Sequence, residues 1–129
     1  MRIVRPDQSW CVYLPSRGER LCLQRLALRH GYRIGELCSD LDCSERYLYS
    51  VFTRDIGLSP KVWMRWERMA VARRKLVGGK AADEVAVELG FSSPNNFRRE
   101  FLMFHRIGPR EFQRERWGEG ARAGIEDWW

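Results

Sequence analysis

The polar side chains best suited to chemistry lie in two short stretches, each preceded by a serine. Ser44 and Ser93 are good helix N-caps, so the residues after each of them should begin a helix. Arginine forks onto the O6 and N7 atoms of guanine, and asparagine pairs with the edge of adenine. The outward residues able to make base contacts are Arg46, Tyr49 and Ser50 in the first stretch and Asn95, Asn96, Arg98 and Arg99 in the second.

A second group of residues could bind phosphate. Arginines on the outside of helices and backbone amides at helix N-termini are frequent phosphate donors in proteins that hold nucleic acid. The phosphate candidates are Ser44, Arg54, Arg65, Arg74, Ser93, Arg110 and Arg114.

Composition and charge are compatible with a polyanionic partner. The 129 residues include 23 Lys and Arg against 17 Asp and Glu, a formal net charge of +6. No stretch approaches the ~18 to 20 apolar residues of a membrane span, and the first residues lack a secretory apolar run. We therefore expect a cytoplasmic protein with no membrane contact.

No pattern of metal-binding or catalytic residues stands out. The cysteines have no Cys-x-x-Cys spacing, and only two histidines, His30 and His105, accompany them. Each histidine lies in an apolar helical pattern, where a half-buried ring with one hydrogen bond is the expected state. No nucleophile with its base, no Gly-rich phosphate loop and no carboxylate pair is evident. We expect no metal, no cofactor, no small-molecule ligand and no enzymatic activity.

Hydrophobic periodicity predicts an all-α fold of about seven helices, with two helix-turn-helix subdomains joined by a long connecting helix. The connecting helix begins at Ser59-Pro60, ends at Gly78-Gly79 and has Trp63 and Trp66 on its expected core stripe. The predicted divisions are an N-terminal arm or linker (1–20), a first helix-turn-helix subdomain (21–57), the connecting helix (58–79), a second helix-turn-helix subdomain (80–117) and a polar tail (118–129).

An internal repeat is the main evidence for two similar units. At one constant offset, polar caps fall on polar caps and apolar positions on apolar positions. The matched pairs are Ser44 and Ser93, Leu48 and Phe97, Phe52 and Phe101, Pro60 and Pro109, and Trp63 and Phe112. The two helices that precede the turns align with an offset that is one residue smaller than that of the other pairs. The second turn should therefore be one residue longer than the first. A helix-turn-helix also needs a small residue where its helices cross, and Cys38 and Ala86 meet this need.

From about residue 21 to 116 the chain resembles the DNA-binding region of the AraC/XylS family of bacterial transcription regulators. The matching stretches are Ser44-x-x-x-Leu48-x-x-x-Phe52, Gly57-Leu58-Ser59-Pro60, Arg68-Met69-x-x-Ala72-x-x-x-Leu76, Val85-Ala86-x-x-x-Gly90-Phe91, Phe97-x-Arg99-x-Phe101 and Pro109. The chain departs from the family pattern at Ser50, where arginine is usual, at Ala82, where a larger aliphatic residue is usual, and at Arg106, where glycine is usual.

The resemblance implies a sequence-specific regulator that inserts two recognition helices into successive major grooves of double-stranded DNA. RNA polymerase is a further candidate partner, and a monomer suffices for such a site. One alternative is a protein-interaction module on the same fold with DNA binding weakened or lost. Another is a DNA-repair regulator with a reactive cysteine, which would require clustered cysteines.

Overall fold

The computed structural model describes residues 1–123, with side chains described for residues 1–116. Three strands precede seven helices in this part of the chain. The strands are β1 (Arg2–Val4), β2 (Cys11–Leu14) and β3 (Glu19–Cys22). The helices are α1 (Leu23–Arg29), α2 (Ile34–Leu41), α3 (Glu45–Asp55), α4 (Pro60–Val77), α5 (Ala82–Glu88), α6 (Pro94–His105) and α7 (Pro109–Ala123). The predicted all-α class of about seven helices is confirmed, apart from the small sheet.

The N-terminal segment is a folded sheet, which differs from the arm or linker expected over residues 1–20. The strands pair antiparallel in the order β1-β2-β3. Ile3, Val12 and Leu14 point into the core of the first unit, where each is buried. Val12 and Leu14 alternate with more exposed positions in β2, as in a strand with one buried face.

The first unit, Met1–Glu67, has one core formed by this sheet, by α1 to α3 and by the start of α4. Phe52 is fully buried and meets Trp63 edge to face, with ring centroids 5.9 Å apart. His30 is half-buried, as expected, and its Nε2 lies 2.8 Å from Oδ2 of Asp40. Apolar burial of this kind supplies most of the stability of such a unit.

The turn between α2 and α3 is fixed by backbone hydrogen bonds. Asp42 ends α2 in the left-handed conformation, with φ of 53°. The Cys43 N–H then donates to the carbonyl of Cys38 at 3.0 Å, a Schellman-type closure. Ser44 caps α3, because its Oγ accepts from the Tyr47 N–H at 3.1 Å. The predicted cap and the predicted tight turn are both present.

The turn between α5 and α6 repeats this pattern. Gly90 has φ of 76°, and the Phe91 N–H donates to the Ala86 carbonyl at 3.0 Å. Ser93 caps α6 by accepting from the Asn96 N–H at 3.1 Å. Ser92 is the extra residue that makes this turn longer than the first. The hydrogen bonds of the two turns therefore agree with the repeat inferred from the sequence.

The long helix α4 starts where the sequence indicated, since the Ser59 Oγ accepts from the Val62 N–H at 3.2 Å. The chain divides within this helix, and the second unit begins at Arg68. Trp63 is 5% exposed and lies in the core, as expected. The core assignment of Trp66 was wrong, because this side chain is 56% exposed.

The second unit has an aromatic core. Phe97 and Phe101 are fully buried, with ring centroids 5.7 Å apart, and Phe112 lies 5.7 Å from Phe101. The His105 ring packs against Phe101 in a tilted arrangement, with ring centroids 4.4 Å apart, and its Nε2 lies 3.2 Å from the Met69 carbonyl oxygen. Burial lowers the pKa of His105, which favours the neutral ring in this core.

The C-terminal helix α7 continues past residue 117 to Ala123, so part of the expected polar tail is helical. The end of the predicted tail, residues 124–129 with Trp128 and Trp129, lies outside the described residues. Within the described part of the chain, no helix combines the length and the apolar character needed to cross a membrane.

Arg106 takes the place of a helix-ending glycine at the cost of backbone strain. It is the C-cap of α6, with φ of 65°, and its N–H donates to the Leu102 carbonyl. The left-handed conformation costs an ordinary L-residue roughly 1–2 kcal/mol. This conformation explains why the family pattern has glycine here.

We expect Arg106→Gly to raise the free energy of unfolding by about 1 kcal/mol, because glycine adopts positive φ without a Cβ clash. Thermal melting followed by circular dichroism measures the change. Arg106→Ala is the matched control, since it removes the charge but keeps the Cβ. An equal gain in both variants would show that the charge, and not the backbone, is responsible.

Candidate nucleic-acid interface

The outward face of α3 carries the first set of base-contact candidates. Arg46, Tyr49 and Ser50 are all exposed on it. The Ser50 hydroxyl donates back to the Arg46 carbonyl of its own helix at 3.2 Å. Since this short side chain stays close to the helix, Arg46 and Tyr49 are the longer groups that α3 offers to a ligand.

Arg54, at the end of α3, is held by groups of its own unit. Its Nε and Nη2 donate to the two carboxylate oxygens of Asp55 at 2.7 and 2.9 Å, and Nη2 also donates to the Met1 carbonyl at 2.8 Å. The Arg54 guanidinium lowers the pKa of Asp55 to about 2, and the Ile3 N–H, which donates to Asp55 at 2.8 Å, adds to the effect. This cluster ties β1 to α3, so Arg54 has a structural task besides the predicted phosphate contact.

The first turns of α6 carry the second set of base-contact candidates. Asn95 and Arg99 are exposed, whereas Asn96 and Arg98 are partly covered. The Arg99 Nη2 donates to Oδ1 of Asn96 at 2.8 Å, and the Arg98 Nη2 donates to Oδ1 of Asn95. The Asn96 Nδ2 in turn donates to Oγ of Ser92. Each asparagine of α6 therefore holds one arginine of the same helix and orients its guanidinium group.

Asp83, on the first turn of α5, joins two of the predicted contact residues. Its Oδ1 lies 3.7 Å from Nη1 of Arg98, and its Oδ2 lies 3.4 Å from Nη2 of Arg110. Both arginines keep substantial exposure, with 39% and 65% of their side chains accessible. The carboxylate thus holds one base-contact candidate and one phosphate candidate at one edge of the unit. No sequence pattern indicated this role for Asp83.

The remaining phosphate candidates are distributed over both units. Arg110 and Arg114 line one open depression of about 440 Å³, together with Gln113 and residues 81–83. Arg65 and Arg74 are exposed on α4. The two capping serines, described above, hold the N-termini of α3 and α6 with their side chains.

Two residues without a predicted contact role, Arg68 and Gln113, brace the second unit. Arg68 Nε and Nη2 both donate to the Leu89 carbonyl at 3.1 and 2.9 Å, and its guanidinium lies 3.5 Å from the Phe91 ring centroid. Gln113 donates to the carbonyls of Leu76 and Lys80 at 2.9 and 2.7 Å. These bonds hold the turn and α7 against α4. The family motif contains Arg68, but spacing alone could not show which carbonyl it binds.

Potential metal ligands do not cluster in the part of the chain that the structure describes. No group of three or more His, Cys, Asp or Glu side chains could hold an ion there. What the described residues do offer to a ligand is hydrogen-bond donors and positive charge. They lie on the outward faces of α3 and α6, each of which begins after a capping serine.

A protein-family comparison matches residues 37–115, more than half of the chain, to a helix-turn-helix domain. No curated protein sequence matches the chain significantly. The matched range includes α3 and α6, with every base-contact candidate.

Several solved structures are similar to the chain. The DNA-binding domain of AdpA, a global transcriptional factor in complex with a target DNA, has a TM-score of 0.65 at 25% identity, over 78% of this chain and 93% of that one. An AraC-type transcriptional regulator from Chromobacterium violaceum has a TM-score of 0.61 at 22% identity, over 78% and 89%. The C-terminal domain of the response regulator yesN from Fusobacterium nucleatum has a TM-score of 0.61 at 23% identity, over 70% and 94%.

Proposed function

Because the chain belongs to the AraC-type family of helix-turn-helix transcription regulators, we propose that it binds double-stranded DNA sequence-specifically, with α3 and α6 as its two recognition helices. The observation that carries the proposal is the pair of equivalent turns, each ending in a capping serine and followed by a helix with exposed polar side chains. The structure of AdpA with its target DNA supports the choice of ligand.

The two recognition helices enter successive major grooves in this proposal. Base specificity comes mainly from the second unit, since α6 presents two arginines and two asparagines, whereas α3 presents Arg46, Tyr49 and the helix-bonded Ser50. Exposed Arg65, Arg74 and Arg114 supply charge for phosphates. One monomer is sufficient for a bipartite site, and RNA polymerase is a partner for such a regulator once it is bound.

Arg110 and Arg98 reach DNA by exchanging part of their contact with Asp83 for contact with DNA. Both distances to the carboxylate, 3.4 and 3.7 Å, are long for charged hydrogen bonds, and exposed ion pairs of this kind contribute about 0–1 kcal/mol. The exchange is therefore inexpensive. In the free protein Asp83 keeps the two guanidinium groups near the edge of α6.

We expect Arg99→Ala to weaken binding to the selected site by about 1–3 kcal/mol, with little change on random duplex, because a base-edge contact carries discrimination. The duplex is first selected from a randomised pool, and affinities are then measured by mobility shift. Arg99 is a sharper choice than Asn96, since Asn96 also bonds Ser92 and orients Arg99 itself.

The matched control is Arg74→Ala, which removes an exposed phosphate candidate from α4. It should weaken selected and random duplex alike and reduce the salt dependence by about one unit of slope. If Arg99→Ala also produced equal losses on both duplexes, the base-contact role of Arg99 would be rejected.

The alternative function is a protein-interaction module on the same fold, and Ser50 is the observation that favours it. Its hydroxyl is bonded to the Arg46 carbonyl, so α3 lacks the additional long donor that the family has at this position. Arg106, the other notable departure, ends α6 with its backbone and has no bearing on the choice. The salt dependence of DNA binding separates the two functions, since a protein partner does not release the counterions of DNA.

A further inference from the structure

Two cysteines that are distant in the sequence become direct neighbours in the N-terminal sheet. Cys11 begins β2 and Cys22 ends β3, and the antiparallel register pairs them with each other. Directly opposed residues of an antiparallel ladder project from the same face of the sheet. Val12 and Leu14 of β2 are buried in the core, so the alternating positions of Cys11 and Cys22 lie on the opposite, outer face.

The hydrogen bonds around the pair bring the two residues especially close. The Leu23 N–H donates to the Trp10 carbonyl at 2.8 Å, one position beyond the pair. Since ladder bonds alternate, Cys11 and Cys22 occupy a non-hydrogen-bonded position, where Cα atoms are typically about 4.5 Å apart. Disulfides span Cα separations of about 4.4–6.8 Å, so this position accepts a bridge at the short end of the range.

We propose that Cys11 and Cys22 are an oxidation site, at which hydrogen peroxide closes a disulfide across β2 and β3 and a monothiol reopens it. Neither cysteine is in a disulfide, and both are half-buried, so small reagents reach them; the Cys22 thiol donates to Oε1 of Gln24 at 3.7 Å. A bridge on the outer face of the sheet is exposed to small thiols, and exposed disulfides are among those that thiols reduce readily.

The chemistry balances with peroxide as the oxidant. One thiolate of the pair attacks an oxygen of peroxide, the O–O bond breaks, and the products are a sulfenic acid and water. The second thiol attacks that sulfur, the S–O bond breaks, and a second water leaves as the S–S bond forms. Two thiols thus supply the two electrons that reduce one peroxide to two waters. Two molecules of glutathione reverse the closure and leave as glutathione disulfide.

The other two cysteines provide a control pair within the same unit. Cys38 and Cys43 are linked across the α2–α3 turn, where the Cys43 N–H donates to the Cys38 carbonyl at 3.0 Å. Burial raises the pKa of Cys38 to about 11, and burial also raises the pKa of Cys43. Because the thiolate is the reacting form, peroxide should oxidise this pair much more slowly.

Tryptic mapping distinguishes the two pairs. Arginines at 17 and 20 separate Cys11 from Cys22, so a bridge between them joins the peptides 3–17 and 21–25. Cys38 and Cys43 share the peptide 34–46, where a bridge removes only the mass of two hydrogen atoms. The reduced, full chain is treated with hydrogen peroxide, its remaining thiols are blocked with N-ethylmaleimide, and the digest is analysed by mass spectrometry.

The expected result is the joined peptide 3–17/21–25 as the first product, lost again after incubation with glutathione, while peptide 34–46 stays doubly alkylated. C22S should trap Cys11 as a sulfenic acid that dimedone labels, and C38S should leave the joined peptide unchanged. Melting curves confirm that both variants are folded. Oxidation of 34–46 before the joined peptide forms, or a joined peptide that glutathione does not open, would overturn the proposal.

Discussion

Inserting about five base pairs between the two halves of the selected site should reduce affinity to that of one half-site, a loss on the order of 100-fold or more. Half a helical turn rotates the second major groove to the far side of the duplex. The loss follows from our proposal that α3 and α6 read one site together. α4, the 18-residue helix between them, is continuous from Pro60 to Val77. Mobility shift on the spaced duplexes gives the affinities.

Inserting a full turn of about ten base pairs should fail as well, because a helix does not stretch to follow the groove. Gly78 and Gly79, which follow α4, lie inside the second unit and are followed by Lys80, whose carbonyl is bound by Gln113. On either spaced duplex Arg99→Ala should still weaken binding, because the second unit, which supplies most of the base specificity, holds the remaining half-site. Full affinity on the full-turn insertion would reject a rigid connector and indicate two independently tethered units.

Phe101→Ala should lower the free energy of unfolding by about 3–5 kcal/mol, a large part of the stability of a small domain. The Phe101 ring is fully buried between Phe97, His105 and Phe112. Truncation therefore removes aromatic contacts from three neighbours and leaves a cavity. Urea unfolding followed by circular dichroism measures the loss.

Trp66→Ala is the matched control for this aromatic truncation, since Trp66 is 56% exposed. We expect a loss below about 1 kcal/mol, in the range of surface substitutions. A loss as large as that of Phe101→Ala would mean that Trp66 packs in the folded protein. It would then restore the core role that the sequence suggested.

The example of Trp66 shows where sequence periodicity reaches its limit. Trp63 and Trp66 are three residues apart, a spacing that favours one helix face. The chain divides within α4, however, and each half buries its own residues, Trp63 and Met64 in the first and Met69 and Leu76 in the second. A single apolar face extended along the whole helix therefore includes Trp66, although Trp66 is buried in neither the first nor the second core.

The caps and turns could be predicted because they depend on local chemistry. The hydroxyl oxygens of Ser44 and Ser93 each accept from the backbone N–H three residues later, as expected for helix N-caps. Arg106 is a counter-example, because a left-handed helix end can be predicted from a glycine but not from an arginine at the same position. Asp83 and Arg68 bind across the fold, to Arg98 and to the Leu89 carbonyl, and spacing along the chain contains no information about such partners.

The most direct test of DNA recognition measures affinity for the selected duplex and for a scrambled duplex of equal composition over a series of salt concentrations. The proposed function predicts that log K falls with log salt at a slope of about −4.5 for the five arginines that are phosphate candidates, on both duplexes. It also predicts that the selected duplex binds tighter by about 1,000-fold or more. A shallow slope would contradict DNA binding and leave the interaction module as the function, and a steep slope with equal affinity for the two duplexes would contradict its sequence specificity.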